Sequence, residues 1–500
     1  MTVALILFFW MVFRRTATWS FSFDGLSYML DVEFGGPRNL LHPFHMAYSL
    51  LGRGLYQIAL HAGYHGRAIF FMQAVNAILG AVALGVFYRT ARSRFDPLPS
   101  TIAALALGFS FAFWTEIVDP GCYALAALAT CLLLALVMEN PQKFFWTGLA
   151  HGLAVLVHLM LVLAVPAFLW SFYKRGASSR KAIARYLLGL LLTTGLAYGG
   201  MAIALGSFRD FMSWFLEPAW KPQTNFLTQN YLHWNWAKNL LMSWHVFANS
   251  LMRLDPSAPR WEGIVWTMAV LVFFATVISG SVWNFRRKNK DDRTLLLWIW
   301  VLGLSSLQFF YAADTRFRIL WLPAFFLLAL ESGRAPFLRA VWRWVGWLVP
   351  LVAWVNFHGT FHPQSQPERN PSLLRALWVN HHVRPDEFLL FWGREPESMV
   401  NFYAAYFAHD VTARSIQGFY FNHAGEGLRP LDDLIRTQET QGHKLVFEEL
   451  FWDAKQQQQI ADTIHVPVTD VSRWLAPWRP VERRAAPDGY RLVTVVRQAR

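Results

Sequence analysis

Charged residues are scarce in this chain of 500 residues. Asp, Glu, Lys and Arg together make up 15% of it, whereas an ordinary soluble protein carries about 25%. The shortfall is concentrated before residue 360, and 55% of the chain is hydrophobic. This composition argues against a soluble globular fold for most of the chain and predicts segments embedded in lipid.

Cysteine is nearly absent as well, since Cys122 and Cys131 are the only two. Both lie in one apolar segment, where a helix would separate them by roughly 13 Å at 1.5 Å per residue. A disulfide cannot span that distance, so neither a disulfide scaffold nor a cysteine metal site is available. The chain also lacks a P-loop, a G-x-G-x-x-G after a strand, an H-E-x-x-H and a G-x-S-x-G. Nucleotide-driven and zinc-peptidase chemistry are therefore unsupported.

Long apolar runs dominate what is present. A helix that crosses ~30 Å of hydrocarbon needs ~20 mostly apolar residues. About eleven segments approach this requirement, and they lie near 3–20, 67–88, 101–115, 121–138, 144–159, 160–173, 184–205, 262–284, 294–311, 317–331 and 341–357. The sequence therefore predicts a mainly α, polytopic helical membrane protein.

The formal net charge of +13 could indicate a nucleic-acid partner, but the basic residues occupy short loops between apolar runs. With the N-terminus in the cytoplasm, alternate loops hold nearly every basic cluster, as the positive-inside rule requires. Arg14 and Arg15 are the exception. Membrane orientation thus explains the charge, and no nucleic-acid partner is expected.

This topology places four parts of the chain outside: residues 21–66, the turn 116–121, a long loop at 206–261, and everything after 358. The tail carries charges throughout and contains the strand-like runs "DEFLLFWG", "HKLVFEEL" and "YRLVTVVR". We therefore divide the chain into a transmembrane domain, 1–357, and a small extracytoplasmic α/β domain, 358–500.

The first outer stretch contains a group of acidic residues. If 24–33 is helical, Asp24, Tyr28 and Asp31 share one face while Glu33 points elsewhere. The next segment, "HPFHMAYSLLGRGLYQIALHAG", begins with His42 and His45 and has the pattern of an amphipathic helix on the outer surface. The alternative is a solvated loop whose acids balance nearby arginines, namely Arg14, Arg15 and Arg38.

A second acidic pair, Glu116 and Asp119, occupies a short outer turn in "FWTEIVDPGCYAL". Solvated turn residues are the alternative, but a cavity shared with the first acids is geometrically possible. His151 and His158 are seven residues apart, which predicts that they share one helix face. Histidines buried and satisfied in the interior are the alternative for both.

Basic and aromatic residues mark two further outer segments. The loop 206–261 is rich in Trp and Phe, which fits either the membrane interface or a groove for an acyl or isoprenoid chain. It also carries Lys221, His233, Lys238 and His245. Arg316 and Arg318 begin a later span on the outer side, against the orientation rule. A guanidinium binds phosphate bidentately, and the alternative is an ion pair with Asp314 or with the first acids.

These segments, in this order, resemble the GT-C superfamily of polytopic glycosyltransferases, including the protein O-mannosyltransferases, the lipid A aminoarabinose transferases and a related bacterial family. "LLHPFHMAYSLLGR" is similar to the bacterial family's His-Pro-Pro-Gly-Tyr-Pro-Leu element, although Phe-His-Met replaces Pro-Gly-Tyr. "FWTEIVDPGCYAL", "GLAVLVHLMLVLAVP" and "TRFRILWLPAFFLLAL" resemble its later motifs. The second motif departs at Asp119-Pro-Gly-Cys122, and the likeness covers residues 1–357.

The resemblance implies an enzyme of a bacterial cytoplasmic membrane that moves a sugar from a polyprenyl phosphate to an acceptor hydroxyl at the outer face, usually with inversion. A carboxylate would serve as the base, and Asp24 is the candidate. Asp31 or Glu33 would orient the acceptor or hold a divalent cation such as Mg or Mn. The phosphate would meet Arg316, Arg318 or Lys221, and the other predicted site residues are Glu116, Asp119, His42 and His158.

The predicted partners are a polyprenyl-phosphate-linked sugar, a glycan, lipid or protein acceptor, and membrane lipids. Three alternatives share the topology: a flippase or exporter of lipid-linked glycans, a ligase, and a non-enzymatic assembly protein. A flippase should carry polar residues through the depth of several spans, whereas here they gather at the outer ends.

Overall fold

The computed structural model describes residues 1–36, 39–139, 143–174, 179–220, 236–253, 260–286, 293–310, 316–335, 339–392, 398–416, 419 and 426–498. Its secondary structure is mainly helical, with one small sheet. The described residues up to Ser365 form one compact unit, and those from Gln366 form another. The sequence places this boundary at 357/358, whereas the structure places it at 365/366.

The first unit is built from helices. They are α1 (Thr2–Arg15), α2 (Phe23–Glu33), α3 (Met46–His61), α4 (Ala68–Arg92), α5 (Pro97–Phe109), α6 (Phe111–Val118), α7 (Tyr123–Met138), α8 (Phe144–Val157), α9 (Val165–Tyr173), α10 (Ser179–Leu205), α11 (Phe208–Trp220), α12 (Trp236–Leu251), α13 (Arg260–Arg286), α14 (Arg293–Phe310), α15 (Leu322–Ser332) and α16 (Arg339–Asn356). Short 3-10 helices cover Leu159–Ala164 and Arg316–Leu320, and a π-helical turn, Phe357–Phe361, follows α16.

Within the described part of the chain, three helices are long and apolar enough to cross a membrane: α4, α10 and Trp261–Arg286 of α13. They correspond to the predicted spans 67–88, 184–205 and 262–284. Helices α5 and α6 form a fourth candidate that is bent by 59°, because Ser110 between them is extended. Shorter apolar helices account for several other predicted spans, and the total of about eleven stays a prediction.

Two predicted features differ from the structure. The outer segment 206–261 is not an extended loop, because α11 and α12 occupy much of it; residues 221–235 and 254–259 lie outside the described residues. His151 and His158 do not share a helix face, because α8 ends at Val157 and His158 has an extended backbone with φ −152°.

The predicted amphipathic helix is α3. One of its faces buries Tyr48, Ser49 and Tyr56, while the other exposes Leu50, Leu51, Leu55 and Ile58. An exposed apolar stripe of this kind suits a helix that lies against lipid.

Helices α8 and α10 approach each other closely through glycines. A Cβ on Gly148 would lie 2.0 Å from the carbonyl oxygen of Tyr186, and one on Gly189 would lie 2.2 Å from that of Phe145. Small residues allow the backbones of membrane helices to approach in this way. The pair therefore depends on the absence of side chains at these positions.

The second unit contains a five-stranded sheet with the order β2-β1-β3-β5-β4. Strands β1 (Glu387–Phe391), β2 (Thr412–Ser415) and β3 (Lys444–Glu448) are parallel, whereas β4 (Trp478–Ala485) and β5 (Arg491–Arg497) are antiparallel. The three strand-like runs of the sequence coincide with β1, β3 and β5. The helices are α17 (Pro371–His382), α18 (Ser398–Phe407), α19 (Arg429–Thr440), α20 (Ala454–Ile464) and α21 (Val468–Leu475).

Both faces of the sheet are buried at β1 and β3. Phe388 and Phe447 pack into the larger apolar cluster, and Leu389 and Val446 into a second one. An ion pair between Arg484 Nη2 and Glu387 Oε1, at 2.5 Å with the Glu387 side chain 1% exposed, joins β4 to the start of β1.

The glycine contacts give a first prediction. Gly189→Ala should lower the free energy of unfolding by about 1–3 kcal/mol, because the new methyl group meets backbone that cannot yield. Gly195→Ala on the same helix is the matched control, since a Cβ there meets nothing within 4 Å. Thermal unfolding of both purified variants in detergent measures the difference. Equal melting temperatures would contradict the close approach.

Candidate active site

The turn between α6 and α7 is held by side chains from other helices. The Nε2 of Gln73 donates to the carbonyl oxygens of Thr18 (2.7 Å) and Val118 (3.0 Å). The Nδ2 of Asn76 donates to those of Asp119 (2.7 Å) and Gly121 (2.8 Å). The Tyr48 hydroxyl donates to the carbonyl of Pro120 at 2.5 Å. These bonds satisfy backbone carbonyls that would otherwise be costly to bury.

Asp119, within this turn, is bonded to the start of α2. The backbone N–H and the hydroxyl of Ser22 donate to its Oδ1 and Oδ2, at 2.9 and 2.8 Å. Ser22 is the N-cap of α2, and its Oγ accepts from the N–H of Gly25 at 2.9 Å. A Cβ on Gly25 would lie 2.5 Å from Oδ2 of Asp119, so only glycine leaves room for this carboxylate.

Asp24 lies in the first turn of α2, between the cap and Gly25. Its Oδ2 forms an ion pair with Nη1 of Arg316, the first residue of the 3-10 helix Arg316–Leu320. The side chains of Asp24 and Arg316 are 21% and 30% exposed. The pair joins residues 292 positions apart and remains accessible from outside the protein.

Other ionisable groups lie close to this pair. Asp24, Glu116 and Arg316 all act electrostatically on the thiol of Cys122. Asp24 and Arg316 also act on Asp119. Glu116 is buried, with 5% of its surface exposed. The structure therefore brings Asp24, from the first predicted acidic group, to the same place as Glu116, Asp119 and Arg316.

Three histidines form a row beside these acids. The ring centroids of His42 and His45 are 5.5 Å apart, and those of His45 and His158 are 4.5 Å apart. The ring of Tyr28, from α2, contacts both His42 and His45. Burial lowers the pKa of His42 to about 4, so this imidazole is neutral near pH 7.

The loop that carries His42 and His45 is anchored by its backbone. The carbonyl of Phe44 accepts from the N–H of Leu159 at 2.9 Å. The carbonyl of Pro43 accepts from the Tyr198 hydroxyl, and that of Leu41 from Nε1 of Trp214. Contacts from three separate segments thus fix the position of the histidine row.

Two predicted acids lie at the other end of α2. Asp31 is seven residues from Asp24, roughly 10 Å along a helix axis. Burial raises its pKa to about 6, while the charge of Arg53 opposes that shift. Glu33 pairs with Nε of Arg67 at 2.5 Å and accepts from the N–H of Ala68 at the start of α4. Glu33 therefore caps α4 and does not face Asp24.

The remaining predicted residues have other bonding partners or lie outside the described residues. Arg318 is buried, and its Nη2 donates to the carbonyl of Ser243 in α12 at 3.2 Å. His151 bonds to the Tyr186 hydroxyl (2.6 Å) and the carbonyl of Leu161 (2.9 Å), as expected for a satisfied interior histidine. Lys221, His233, Asp314 and Arg38 lie outside the described residues, and nothing is described of the Lys238 side chain.

The described residues include no group of three His, Cys, Asp or Glu side chains placed to hold a metal ion. Asp24 faces a guanidinium, and both oxygens of Asp119 accept from Ser22. A divalent cation held by Asp31 or Glu33 stays a prediction.

Gln73, Asn76 and Ser22 are site-supporting residues that the sequence analysis missed. The signal for two of them was present, since amides within an apolar span are costly unless a partner is available. Their spacing of three residues puts both on one face of α4.

The pKa of Asp119 gives a second prediction. Burial raises it to about 6, against the opposing hydrogen bonds from Ser22. Because the folded protein then binds this proton more tightly than the unfolded chain, stability should fall as pH rises from about 4 to 6, by at most about 1.4 kcal/mol per pH unit. Asp119→Asn should remove this contribution.

Thermal unfolding of the wild type and Asp119→Asn, compared at each pH from 4 to 8, isolates the contribution. The melting-temperature difference between them should change through this window and stay constant above it. Asp31→Asn, at the other acid whose pKa burial raises to about 6, should show the same pH dependence independently. A difference that does not vary with pH would contradict the prediction.

Comparison with known proteins gives the fold a precedent. No protein-family model and no curated protein matches the sequence. Among solved structures, ArnT from Cupriavidus metallidurans bound to undecaprenyl phosphate aligns over 99% of this chain and 97% of its own, with TM-score 0.55 and 14% identity. An oligosaccharyltransferase from Archaeoglobus fulgidus aligns over 99% of this chain and 74% of its own, with TM-score 0.52 and 12% identity.

Identities this low establish a common fold and leave the reaction to be argued from the site. Both neighbours are GT-C membrane glycosyltransferases, as the sequence motifs predicted. The chain therefore shares the fold of these two structures.

Proposed function

We propose that this protein is a membrane glycosyltransferase that moves a sugar from a polyprenyl-phosphate-linked donor to an acceptor hydroxyl. The observation that carries the proposal is the accessible pair of Asp24 and Arg316, which sets a base beside a phosphate-binding cation. The GT-C fold supports the same reaction class, because ArnT, which shares it, was solved with undecaprenyl phosphate.

Asp24 is the general base in this proposal. A carboxylate within hydrogen-bond reach takes the proton of the acceptor hydroxyl as its oxygen attacks the anomeric carbon. The bond from that carbon to the phosphate oxygen breaks with its electrons, so the lipid phosphate leaves as an anion. The anomeric centre is inverted because a single displacement occurs.

Arg316 stabilises the leaving phosphate. Its planar guanidinium matches phosphate oxygens with two parallel hydrogen bonds, and a cation fixed where negative charge develops lowers the barrier. Before the donor binds, the same guanidinium neutralises Asp24. A bound phosphate competes for Arg316 and leaves Asp24 free to accept a proton.

Asp119 acts through Asp24 and is a positioning residue. Both of its oxygens accept from Ser22, and this holds the first turn of α2 and the base within it. Glu116 contributes negative charge beside Cys122. The histidine row, His42 to His158, forms a wall where the sugar or acceptor binds, and Lys221 stays a predicted phosphate ligand.

The proposal places this site at the outer face of a bacterial cytoplasmic membrane. The basic loops would then be cytoplasmic, and the second unit would also lie outside the cytoplasm. The donor is a polyprenyl-phosphate-linked sugar, and the acceptor is a glycan, lipid or protein hydroxyl.

A third prediction tests the base. Asp24→Asn should lower the transfer rate by about 10²–10⁴-fold, the usual contribution of a general base, while the protein stays folded in the membrane. Release of undecaprenyl phosphate from a panel of undecaprenyl-phosphate-linked sugars, in membranes containing the variant, measures the rate. Asp96→Asn, at the start of α5, is the matched control. Wild-type turnover by Asp24→Asn would remove the assignment and favour a non-enzymatic assembly role.

A fourth prediction tests the competition for Arg316. Arg316→Gln should weaken binding of undecaprenyl phosphate about 10–100-fold, since a hydrogen bond to a charged group contributes about 1.5–3 kcal/mol. Asp24→Asn should bind it as tightly as the wild type or more tightly, because the competing carboxylate is gone. Arg286→Gln, at the far end of α13, is the control.

Titration of the purified variants with undecaprenyl phosphate, followed by thermal shift, measures both affinities. If Asp24→Asn weakens binding as much as Arg316→Gln does, the two residues form a structural pair and the proposed exchange is wrong.

A further inference from the structure

A second feature of the first unit lies away from Asp24 and Arg316. Helices α5, α13, α15 and α16, together with Leu251 of α12, line a partly open cavity of about 90 Å³. Its walls are apolar side chains, among them Phe109, Leu251, Phe273, Phe326, Val345 and Val349. An apolar cavity excludes water and admits hydrocarbon.

The one polar atom of the Trp266 side chain is already bonded. Its Nε1 donates to the carbonyl of Ala248 in α12 at 3.1 Å, so the indole presents only its apolar ring to the cavity. The lining therefore offers no hydrogen bond to a head group, and only a hydrocarbon chain suits it.

The cavity is short. Its lining along α16 runs from Val345 to Val352, a rise of roughly 10 Å at 1.5 Å per residue. This length accommodates part of one acyl chain, whereas a polyprenyl chain is longer and branched at every unit.

A buried polar side chain, Asn356, lies beside two residues of the cavity lining, Phe109 and Leu251. Asn356 Nδ2 donates to the carbonyls of Phe109 (2.9 Å) and Leu251 (3.0 Å). Its Oδ1 accepts from the N–H of Arg253 at 3.0 Å. The buried Asn356 side chain therefore connects the backbone of Arg253 to two residues that line the cavity.

Arg253 is exposed at this position. Its guanidinium lies 5.2 Å from the ring centroid of Phe111, and no carboxylate among the described residues forms an ion pair with it. The cavity therefore combines apolar walls with a cationic residue beside Asn356, which is complementary to a hydrocarbon chain attached to a phosphate.

We propose that this cavity binds one acyl chain of an anionic phospholipid whose phosphate contacts Arg253. The site is distinct from the Asp24–Arg316 site, and the proposal does not depend on the reaction proposed above. Bound lipid would fill the space between α12 and the four helices around the cavity.

Native mass spectrometry of the purified full chain, titrated with phosphatidylglycerol or with phosphatidylcholine, tests the proposal. The wild type should bind the first phosphatidylglycerol at least tenfold more tightly than the first phosphatidylcholine. Arg253→Gln, at an exposed residue whose replacement leaves the core intact, should abolish this preference. Val349→Trp, which fills the cavity, should weaken binding of both lipids about tenfold.

Leu351→Trp is the matched control on the same helix, since the Leu351 side chain is 51% exposed, and its binding should equal that of the wild type. Absence of any preference for phosphatidylglycerol in the wild type would overturn the proposal, as would unchanged binding in both Arg253→Gln and Val349→Trp. Undecaprenyl phosphate is titrated in a separate experiment by the same method. If it displaces phosphatidylglycerol at equal concentration and Val349→Trp weakens its binding, the occupant is the carrier and the phospholipid assignment is wrong.

Discussion

Four hydrogen bonds from two amide side chains support the architecture around Asp24. Gln73 and Asn76, one helical turn apart on α4, donate to carbonyls of Thr18, Val118, Asp119 and Gly121. Because buried carbonyls must be paired, this turn has one low-energy arrangement. Asp119 is therefore fixed, Ser22 is fixed against it, and α2 begins where Asp24 meets Arg316.

The carboxylates of this site have different surroundings. Asp24, Glu116 and Asp119 bring three carboxylates near Arg316, and the three are treated differently. Asp119 is buried and held by neutral donors, whereas Asp24 is partly exposed and opposed by a cation. Environment therefore separates the two aspartates into a supporting and a reactive group, in the way that enzymes divide roles between chemically identical residues.

The sequence predicted the features that follow from local pattern. Apolar length located α4, α10 and α13, and short strand-like runs located β1, β3 and β5. Asp24 was a candidate because the resemblance implies a carboxylate base in the first outer segment, and Arg316 because an arginine on the outer side runs against the orientation rule. Their ion pair was among the alternatives, and only the fold could place residues so distant in the chain together.

Other features depend on partners that the sequence does not reveal. Arg316 and Arg318 are equivalent by composition, but they point to different neighbours, Asp24 and Ser243. Glu33 is an acidic residue of α2, as Asp24 is, but it lies beside the start of α4. Its carboxylate accepts a hydrogen bond from the N–H of Ala68 there and caps α4. His158 falls outside α8 because the helix ends at Val157.

The bare backbone at Gly25 has a consequence for engineering related chains. Any side chain there would clash with Asp119 Oδ2, which lies 2.5 Å from where its Cβ would be. Ser22, which donates to Asp119, and Gly25, which leaves room for it, therefore flank Asp24. Redesign of the first outer segment should leave that tripartite arrangement untouched.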